Sequence, residues 1–254
     1  YAKHLKGFRG NLFCSYPWRV PMPVSEGVAE RWMLRGRAER ALRSILAYSG
    51  YLHPVRTEFK RFPMRRLIEE GHTEHRAILL SGWLFDCPEL VRKHGETIRP
   101  LFEPCATIRP LVDDPFSKLR SQVDTVVGIA IRQGDYARYA DGKYYHTTEA
   151  YVHLMSQLSH LFGVNNTGFF IAAEEPQDSE TFASFPHYLR SGHPVANLFT
   201  LAACDYIVTV PSSFAHWAAF YGHTPIYYIE NIDKVPAHDD FKYNEDLYWP
   251  LVAE

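Results

Sequence analysis

The second half of the chain alternates short apolar runs with longer segments in which apolar residues recur at helical spacing. Four runs are predicted as strands: Thr125–Ile131, Gly168–Ala173, Tyr206–Val210 and Pro225–Ile229. Three segments between them are predicted as helices: 147–162 with Thr147 as N-cap and Gly163 as stop, 195–204, and 213–221. This β-α-β-α-β-α-β order predicts right-handed crossovers and a parallel sheet.

The first half is less regular. A helix is predicted over 27–48, a short buried strand over Ala77–Leu80, and a further helix over 89–102. The proline-containing stretch 103–118 is predicted as a connection between domains. We therefore expect an N-terminal domain over 1–115, a second, Rossmann-like domain over 116–235, and a tail over 236–254 that packs back on the N-terminal domain.

Composition narrows the function classes. The chain has 254 residues, 46% hydrophobic and 22% charged, as in proteins with a buried core, and no apolar run approaches the roughly 18 residues of a membrane span. A net charge of −2 argues against nucleic acid as a partner. The arginine-rich stretch 31–66 is either a solvated face or a docking surface for an acidic substrate or membrane headgroups. Four cysteines without a CxxC pair predict free thiols in a cytoplasmic protein and no metal site.

Polar residues follow each predicted strand. The first strand belongs to the stretch VVGIAIRQGDY, whose apolar run stops at Arg132, Gly134 and Asp135. The other three are followed by Glu174-Glu175, Ser212-Ser213 and Glu230-Asn231. The carboxyl ends of parallel strands meet at one edge of the sheet, where ligands bind in this class of fold. The sequence therefore predicts a site at that edge.

The third strand end favours an anionic ligand. Ser212 and Ser213 stand where a strand turns into a helix, whose N-terminus offers free N–H groups and partial positive charge. Arg132 can grip a phosphate with two parallel hydrogen bonds. Taken singly, the serines are explained by helix capping and Arg132 by a surface ion pair. Their common edge favours a bound diphosphate.

Several familiar motifs are missing from the sequence. It contains no Walker lysine motif, GxGxxG, HExxH or GxSxG, which argues against the usual nucleotide folds, zinc proteases and α/β-hydrolases. It has no DxD triplet of the kind that holds a diphosphate through a metal. A sulfotransferase or phosphatase remains an alternative class, which the missing P-loop and nucleophile disfavour.

These segments resemble the fucosyltransferase superfamily, closest in layout to the α1,2-fucosyltransferases. VVGIAIRQGDY is similar to the family motif HxRxGDY, and Tyr144-Tyr145 to the YY pair that follows it. CDYIVTVPSSFAHWAAFYG resembles the family's strand and NSSFSWWAA segment. In the first half, GFRGNLF is similar to GGLGNQLF, and LSGWLFDCPELVRKHGETIRPLF to a glycine-aromatic strand end and helix.

The resemblance implies a GT-B-like α/β fold, with two Rossmann-like domains whose parallel sheets face each other across a cleft. It implies inverting, metal-independent transfer of fucose from GDP-fucose to a glycan hydroxyl, with the nucleotide sugar as co-substrate and no other cofactor. Arg132 and Asp135 are then the candidate catalytic residues. The candidate donor-binding residues are Arg132, Gly134, Glu174, Glu175, Asn197, Ser212, Ser213 and Phe214. The candidate acceptor-side residues are Arg9, Gly10, Asn11 and Trp83.

Two positions depart from the family pattern. Ala130 replaces the histidine of HxRxGDY, and Asn197 aligns with an acid thought to bind guanine. A neutral amide cannot accept two hydrogen bonds from the guanine edge as a carboxylate does. Asp135, Glu174 and Glu175 are all candidates for the general base. A nucleotide- or glycan-binding homologue with weak activity is therefore the alternative to an enzyme.

Overall fold

The computed structural model describes residues 108–243 without a gap and, before them, residues 45, 48–49, 52–56, 62–63, 77–81, 85–86, 88–101, 104 and 106. The chain divides into two compact units, one of Pro17–Lys93 with Glu254 and one of Tyr1–Tyr16 with His94–Ala253. Most of the helix predicted over 27–48 lies outside the described residues.

The unit Pro17–Lys93 contains two pairs of parallel strands. Strand β1 (Leu52–Arg56) pairs with β3 (Ala77–Ser81), and β2 (Phe62–Pro63) pairs with β4 (Phe85–Asp86). The strand predicted over Ala77–Leu80 is confirmed. Helix α1 (Pro88–Ile98) follows and ends in a 3₁₀ turn over Arg99–Leu101. The sequence predicts a helix over 89–102.

The second unit is built on a five-stranded sheet in which every pair of neighbouring strands is parallel. The sheet order is β7-β6-β5-β8-β9. The strands are β5 (Thr125–Ile131), β6 (Thr167–Ala173), β7 (His187–Ser191), β8 (Tyr206–Thr209) and β9 (Ile226–Tyr228). The predicted α/β class and parallel sheet are confirmed, and β7 is an edge strand that the sequence reading missed.

The strand order creates a switch point. From β5 the chain moves outward through β6 to β7, then returns to place β8 and β9 on the other side of β5. The connections therefore leave β5 and β8 in opposite directions, which opens a crevice beyond their carboxyl ends. Arg132 follows β5 directly, and Ser212 follows β8 by a short turn. The topology thus brings the two most informative polar segments to the two sides of one crevice.

Four helices cover the sheet: α2 (Arg109–Arg120), α3 (Thr148–Phe162), α4 (Pro194–Ala202) and α5 (Ser213–Gly222). The predicted boundaries of α3 are confirmed, since the Thr147 hydroxyl accepts a hydrogen bond from the Ala150 N–H at 3.3 Å. Gly163 ends the helix with a φ of 108°, a conformation that glycine adopts without steric cost.

The connection predicted over 103–118 is wrong at its C-terminal end, because α2 begins at Arg109. Pro110 lies in the first turn, where its missing N–H costs no helical hydrogen bond. Pro115 lies inside the helix, yet it is buried together with Val112 and Leu119, at helical spacing along one face. Burial of this stripe outweighs the proline penalty. The helix also runs through the predicted domain boundary at 115/116, whereas the compact units divide at 93/94.

The two faces of the sheet are packed differently. Residues Val127, Ile129 and Ile131 of β5 face a core built with α3, and Val126 and Ala130 face a core built with α2, α4 and α5. A side chain at Gly128 would meet Leu201 Cδ2 at 2.7 Å, so the glycine allows α4 to approach β5 closely. The residues after the sheet join the α3 face, where Phe241 is buried and Lys242 pairs with Ile226.

Candidate functional site

Arg132 stands at the tip of β5 with its guanidinium held on three sides. Its Nη1 lies 2.6 Å from Glu174 Oε2, and its Nη2 lies 3.1 Å from Asp135 Oδ1. The plane of the guanidinium lies over the Tyr136 ring, 4.9 Å from its centroid. Its Nε is buried without a hydrogen-bond partner among the described residues. The arginine is therefore pre-positioned, with both terminal nitrogens paired to carboxylates that are themselves 54% and 71% exposed.

Tyr136 joins the two sides of the crevice. Its phenol donates a hydrogen bond of 2.6 Å to the carbonyl of Pro211, the residue before Ser212. The side chain is 7% exposed, and burial raises its pKa, so it remains a neutral donor. One residue thus supports the guanidinium of Arg132 and fixes the turn that leads into α5.

A network of side-chain hydrogen bonds holds the tips of β5 and β6 together. Gln177 Nε2 donates to Gln133 Oε1 at 2.9 Å, and Gln133 Nε2 donates to the His146 carbonyl at 3.0 Å. Thr148 Oγ1 joins the network by donating to Gln177 Oε1 at 2.9 Å. Because these contacts join the segments that carry Arg132 and Glu174, they fix the position of the ion pair.

The N-terminus of α5 faces the same crevice. Ser212 occupies the N-cap position, but its side chain makes no capping hydrogen bond within the described part of the chain. It is only 3% exposed and Ser213 is exposed. The Ser212 hydroxyl instead interacts with the Tyr136 phenol, whose pKa is raised by burial and lowered by this hydrogen bond. The first-turn N–H groups of a helix and its positive dipole end favour an anion at this point.

Helix α4 also begins at the crevice. His193 is its N-cap, with Nδ1 accepting from the Ala196 N–H at 3.2 Å, and Pro194 fills the first turn. One turn further, Asn197 is 4% exposed. Its Nδ2 donates weakly to the Arg190 carbonyl at 3.4 Å, and its Oδ1 has no partner among the described residues. A buried amide oxygen without a donor suits a ligand N–H.

These elements surround a cavity of about 680 Å³. Its floor is formed by small residues, because Ala130 pairs in register with Ala172 on β6 and with Thr209 on β8. The cavity has a polar side, at Arg132 and Ser212, and apolar walls. The described residues that line it are Ala130–Arg132, Tyr136, Ala172–Glu174, Gly192–Val195, Asn197–Phe199, Ser212–Phe214 and Tyr221. Its volume lies in the range of small-ligand sites.

Six predicted donor-binding residues come together in this lining: Arg132, Glu174, Asn197, Ser212, Ser213 and Phe214. Gly134, Asp135 and Glu175 lie beside it; of these, Asp135 reaches the site through its ion pair with Arg132. A side chain at Gly134 would meet Glu175 Oε1 at 2.8 Å, and the exposed end of this glutamate would have to move aside. The predicted acceptor-side residues Arg9, Gly10, Asn11 and Trp83 lie outside the described residues.

Sequence reasoning missed two parts of this site. Tyr136 was read only as the end of a motif, and its cation–π contact with Arg132 depends on a turn geometry that the sequence does not specify. The N-terminus of α4 was also missed, because the helix was predicted to begin one residue late, at Val195. The dipeptide His193-Pro194 carries the signal, since proline is favoured in the first turn of a helix.

Within the described residues, no group of three or more His, Cys, Asp or Glu side chains is placed to hold a metal ion. No described helix combines the length and the apolar character needed to cross a membrane.

Comparison with known proteins gives structural neighbours only. No family model matches the sequence, and no curated protein matches it. A mutant of Arabidopsis thaliana FUT1 in complex with GDP aligns with a TM-score of 0.49 at 10% identity, over 78% of this chain and 56% of its own. NodZ α-1,6-fucosyltransferase soaked with GDP-fucose aligns at 0.42 and 15%, over 60% and 53%. POFUT1 in complex with GDP-fucose aligns at 0.39 and 12%, over 64% and 56%.

All three neighbours are fucosyltransferases, as the motif resemblance led us to expect. The chain spans about half the length of these solved chains. Because every TM-score lies below 0.5, the function proposed below rests on the residues of the site and on the sequence motifs.

Proposed function

We propose that the protein is a glycosyltransferase that transfers a sugar from a nucleoside-diphosphate donor to a hydroxyl group, with inversion and without a metal. The motif resemblance extends the proposal to fucose as the sugar, GDP-fucose as the donor and a glycan as the acceptor, in a cytoplasmic enzyme. The observation that carries it is the cavity at the switch point, which joins Arg132, the start of α5 and Asn197.

The polar side of the cavity suits the diphosphate. Arg132 can offer two parallel N–H groups, and Ser212 and Ser213 add hydroxyl donors at the positive end of α5. Once the diphosphate has displaced Glu174 and Asp135 from Arg132, these donors need little further reorganisation when charge develops on the leaving group. They supply the charge stabilisation that a metal ion supplies in other transferases.

The apolar side suits the nucleoside. Val195, Leu198, Phe199 and Phe214 supply apolar surface against which a planar base packs. Asn197 Oδ1 accepts an N–H from the edge of the base, which satisfies the one buried acceptor that lacks a partner among the described residues of this helix. An amide accepts one such bond where a carboxylate accepts two, so base selectivity is weaker than an acidic residue would give.

Binding of a diphosphate must rearrange the ion pairs of Arg132. In the free protein Glu174 and Asp135 share its guanidinium, so the two carboxylates outnumber the cation. A diphosphate competes with them for the same N–H groups. Both carboxylates are more than half exposed and can return to solvent when displaced.

The reaction needs few groups. The acceptor oxygen attacks the anomeric carbon from the face opposite the diphosphate, and the carbon–oxygen bond to the diphosphate breaks with its electron pair. Arg132 and the N–H groups of α5 stabilise the resulting phosphate charge. Asp135, Glu174 and Glu175 are the carboxylates at this edge that can take the proton of the hydroxyl. Ion pairs place both Asp135 and Glu174 beside Arg132, and we assign the role to Asp135 because it belongs to the stretch that resembles the family motif.

The alternative is a protein that binds a nucleotide or glycan without turnover. It is favoured by the same ion pairs, which occupy both terminal nitrogens of Arg132, and by Ala130 and Asn197 at two positions where the family motif carries histidine and an acid.

Calorimetric titration with GDP, UDP and ADP tests the proposal. Wild-type protein should bind a nucleoside diphosphate, and Arg132→Ala should weaken binding roughly 10- to 100-fold, as expected for loss of a charged donor. Arg138→Ala is the matched control, because this exposed arginine follows the same strand but does not line the cavity. Failure of all three nucleotides to bind wild type would contradict the transferase and would leave only a glycan-binding protein. Transfer or hydrolysis of GDP-fucose then separates an enzyme from a binding protein.

A further inference from the structure

A row of tyrosines leads from the cavity to the surface. Tyr136 lines the cavity beneath Arg132, and its ring centroid lies 5.4 Å from that of Tyr139. Tyr139 in turn stacks on Tyr144 at 6.2 Å, with an angle of 26° between the rings. We call Tyr136, Tyr139 and Tyr144 the tyrosine ladder. Exposure rises along it from 7% at Tyr136 to 43% at Tyr139.

The loop that carries the ladder is held in an unusual conformation. Ala140, Asp141 and Gly142 are consecutive left-handed residues, with φ of 49°, 55° and 77°. A side chain at Gly142 would lie 3.2 Å from the Ala137 carbonyl, so the chain turns back on itself too tightly for another residue. This turn returns Tyr144 to the ring of Tyr139. Strain of this kind persists where the surroundings enforce it, and it is concentrated at ligand-binding segments.

The charges around the ladder cancel. Arg138 and Lys143 are matched by Asp135 and Asp141, and all four are exposed. A charged polymer would find no net complementarity here. Tyr139 exposes 43% of its surface beside the tilted, buried ring of Tyr136 and the half-buried Tyr144. An exposed aromatic ring with a phenol hydroxyl at its edge suits a ligand that presents C–H groups on one face and hydroxyls at its rim. A neutral sugar ring has that character.

We infer that the tyrosine ladder binds the neutral oligosaccharide that accepts the transferred sugar. The inference rests on the proposed function and adds an acceptor surface on the same unit as the donor cavity. The ladder begins in contact with Arg132, so a sugar stacked on Tyr139 places its next residue near the cavity mouth. The neighbouring Tyr145 is 42% exposed and widens the surface.

Saturation-transfer NMR titrations with cellotetraose, chitotetraose and maltotetraose test this inference. Wild type should bind at least one of them, and Tyr139→Ala should weaken that binding roughly three- to tenfold, the value of a lost stacking partner. Tyr139→Phe should remain within twofold, since the ring is kept. Tyr243→Ala is the control, because Tyr243 is 41% exposed and stacks on His223 at the end of α5 remote from Ser212.

The outcomes separate this inference from the proposed function. Absence of binding to all three oligosaccharides, or equal binding by wild type and Tyr139→Ala, overturns the ladder as an acceptor surface. If Tyr139→Ala fails to fold by circular dichroism, Tyr145→Ala takes its place with the same expectation. GDP titrations run in parallel test the donor cavity alone. Ladder-dependent glycan binding without nucleotide binding supports the surface and contradicts the transferase.

Discussion

The two faces of the five-stranded sheet are built from the same strands, but β5 presents side chains of different size to them. On the α3 face, Ile129 and Ile131 of β5 meet Phe169 of β6 and Tyr151 of α3, all at most 2% exposed. On the opposite face the same strand presents Gly128 and Ala130, and the helices add alanines at 215, 218 and 219. One face is filled with large side chains, and the other is lined by small ones.

This difference assigns close packing and the cavity to different parts of the sheet. Small residues near the amino ends of the strands let α4 pack directly on β5, as the close approach at Gly128 shows. Small residues near the carboxyl ends, Ala130 and Ala172, leave space that no helix fills. Most of the cavity lining therefore comes from the small-residue face and from helices α4 and α5, with Ile131, Tyr136 and Ala173 added from the α3 face.

The largest effect is expected on the large-residue face. Phe169→Ala should lower the free energy of unfolding by roughly 3–5 kcal/mol, because it removes a fully buried ring and leaves a cavity. Denaturant titration measures this loss. Phe214→Ala replaces a half-buried residue that lines the cavity, and it should cost less stability than Phe169→Ala. Equal losses for the two variants would show that the faces do not differ in this way.

A substitution on the cavity floor should affect binding as well as stability. Ala130→Leu places a larger side chain in the space proposed for the nucleotide, so GDP binding should weaken roughly tenfold or more. Because Ala130 is itself buried, the extra carbon atoms should also lower the free energy of unfolding by roughly 1–3 kcal/mol. Ile129→Val is the matched control, since it points to the α3 face and should cost roughly 0.5–1.5 kcal/mol of stability with GDP affinity unchanged. Unaltered GDP affinity in Ala130→Leu would place the nucleotide elsewhere.

Thr147 and Ser212, the N-caps of α3 and α5, allow the same comparison of stability with binding. Thr147 makes a capping hydrogen bond to α3, so Thr147→Ala should cost about 1 kcal/mol of stability and leave GDP affinity unchanged. Ser212 makes no capping bond among the described residues, and its hydroxyl interacts with the Tyr136 phenol, which keeps its bond to Pro211. Ser212→Ala should therefore cost less stability than Thr147→Ala and should weaken GDP binding roughly fivefold. Thermal unfolding and calorimetry of both variants give the four values. A large loss of stability in Ser212→Ala would show that this serine stabilises the fold and would contradict its assignment to ligand binding.

The smallest effect concerns the carboxylate that pairs with Arg132. Glu174→Gln removes a negative charge that competes with the diphosphate, and the pair is partly exposed, so GDP should bind roughly two- to threefold more tightly. Glu180→Gln, an exposed carboxylate in the 3₁₀ turn beyond the strand tip, is the control and should change little. Weaker binding in Glu174→Gln would indicate that Glu174 positions Arg132 for the ligand.

Much of the second unit could be predicted from the sequence. The bounds of β5, the Thr147 cap and the Gly163 stop depend on local apolar patterning and on backbone preferences, and these were correct. Strand β7 was missed because its side chains are only half buried at the sheet edge and carry no apolar run. Helix α2 was missed because the cost of Pro115 is visible in the sequence, whereas the burial that offsets it is not.

The site divides in the same way. The edge of the sheet and the residues Arg132 and Ser212 followed from topology alone. The pairing of Arg132 with Glu174, and the hydrogen bond from Tyr136 to Pro211, depend on side-chain positions across different loops. No sequence pattern encodes such distances. Sequence reasoning therefore located Arg132 and Ser212 on the polar side of the cavity but not the contacts that hold them in place.

A crystal structure of the protein soaked with GDP tests the central claim most directly. The diphosphate should lie between the guanidinium of Arg132 and the first-turn N–H groups of α5, with the base against Phe214 and an N–H within hydrogen-bond distance of Asn197 Oδ1. Glu174 should have moved away from Arg132. GDP bound outside this cavity, or bound while Arg132 still pairs with both Glu174 and Asp135, would contradict the account.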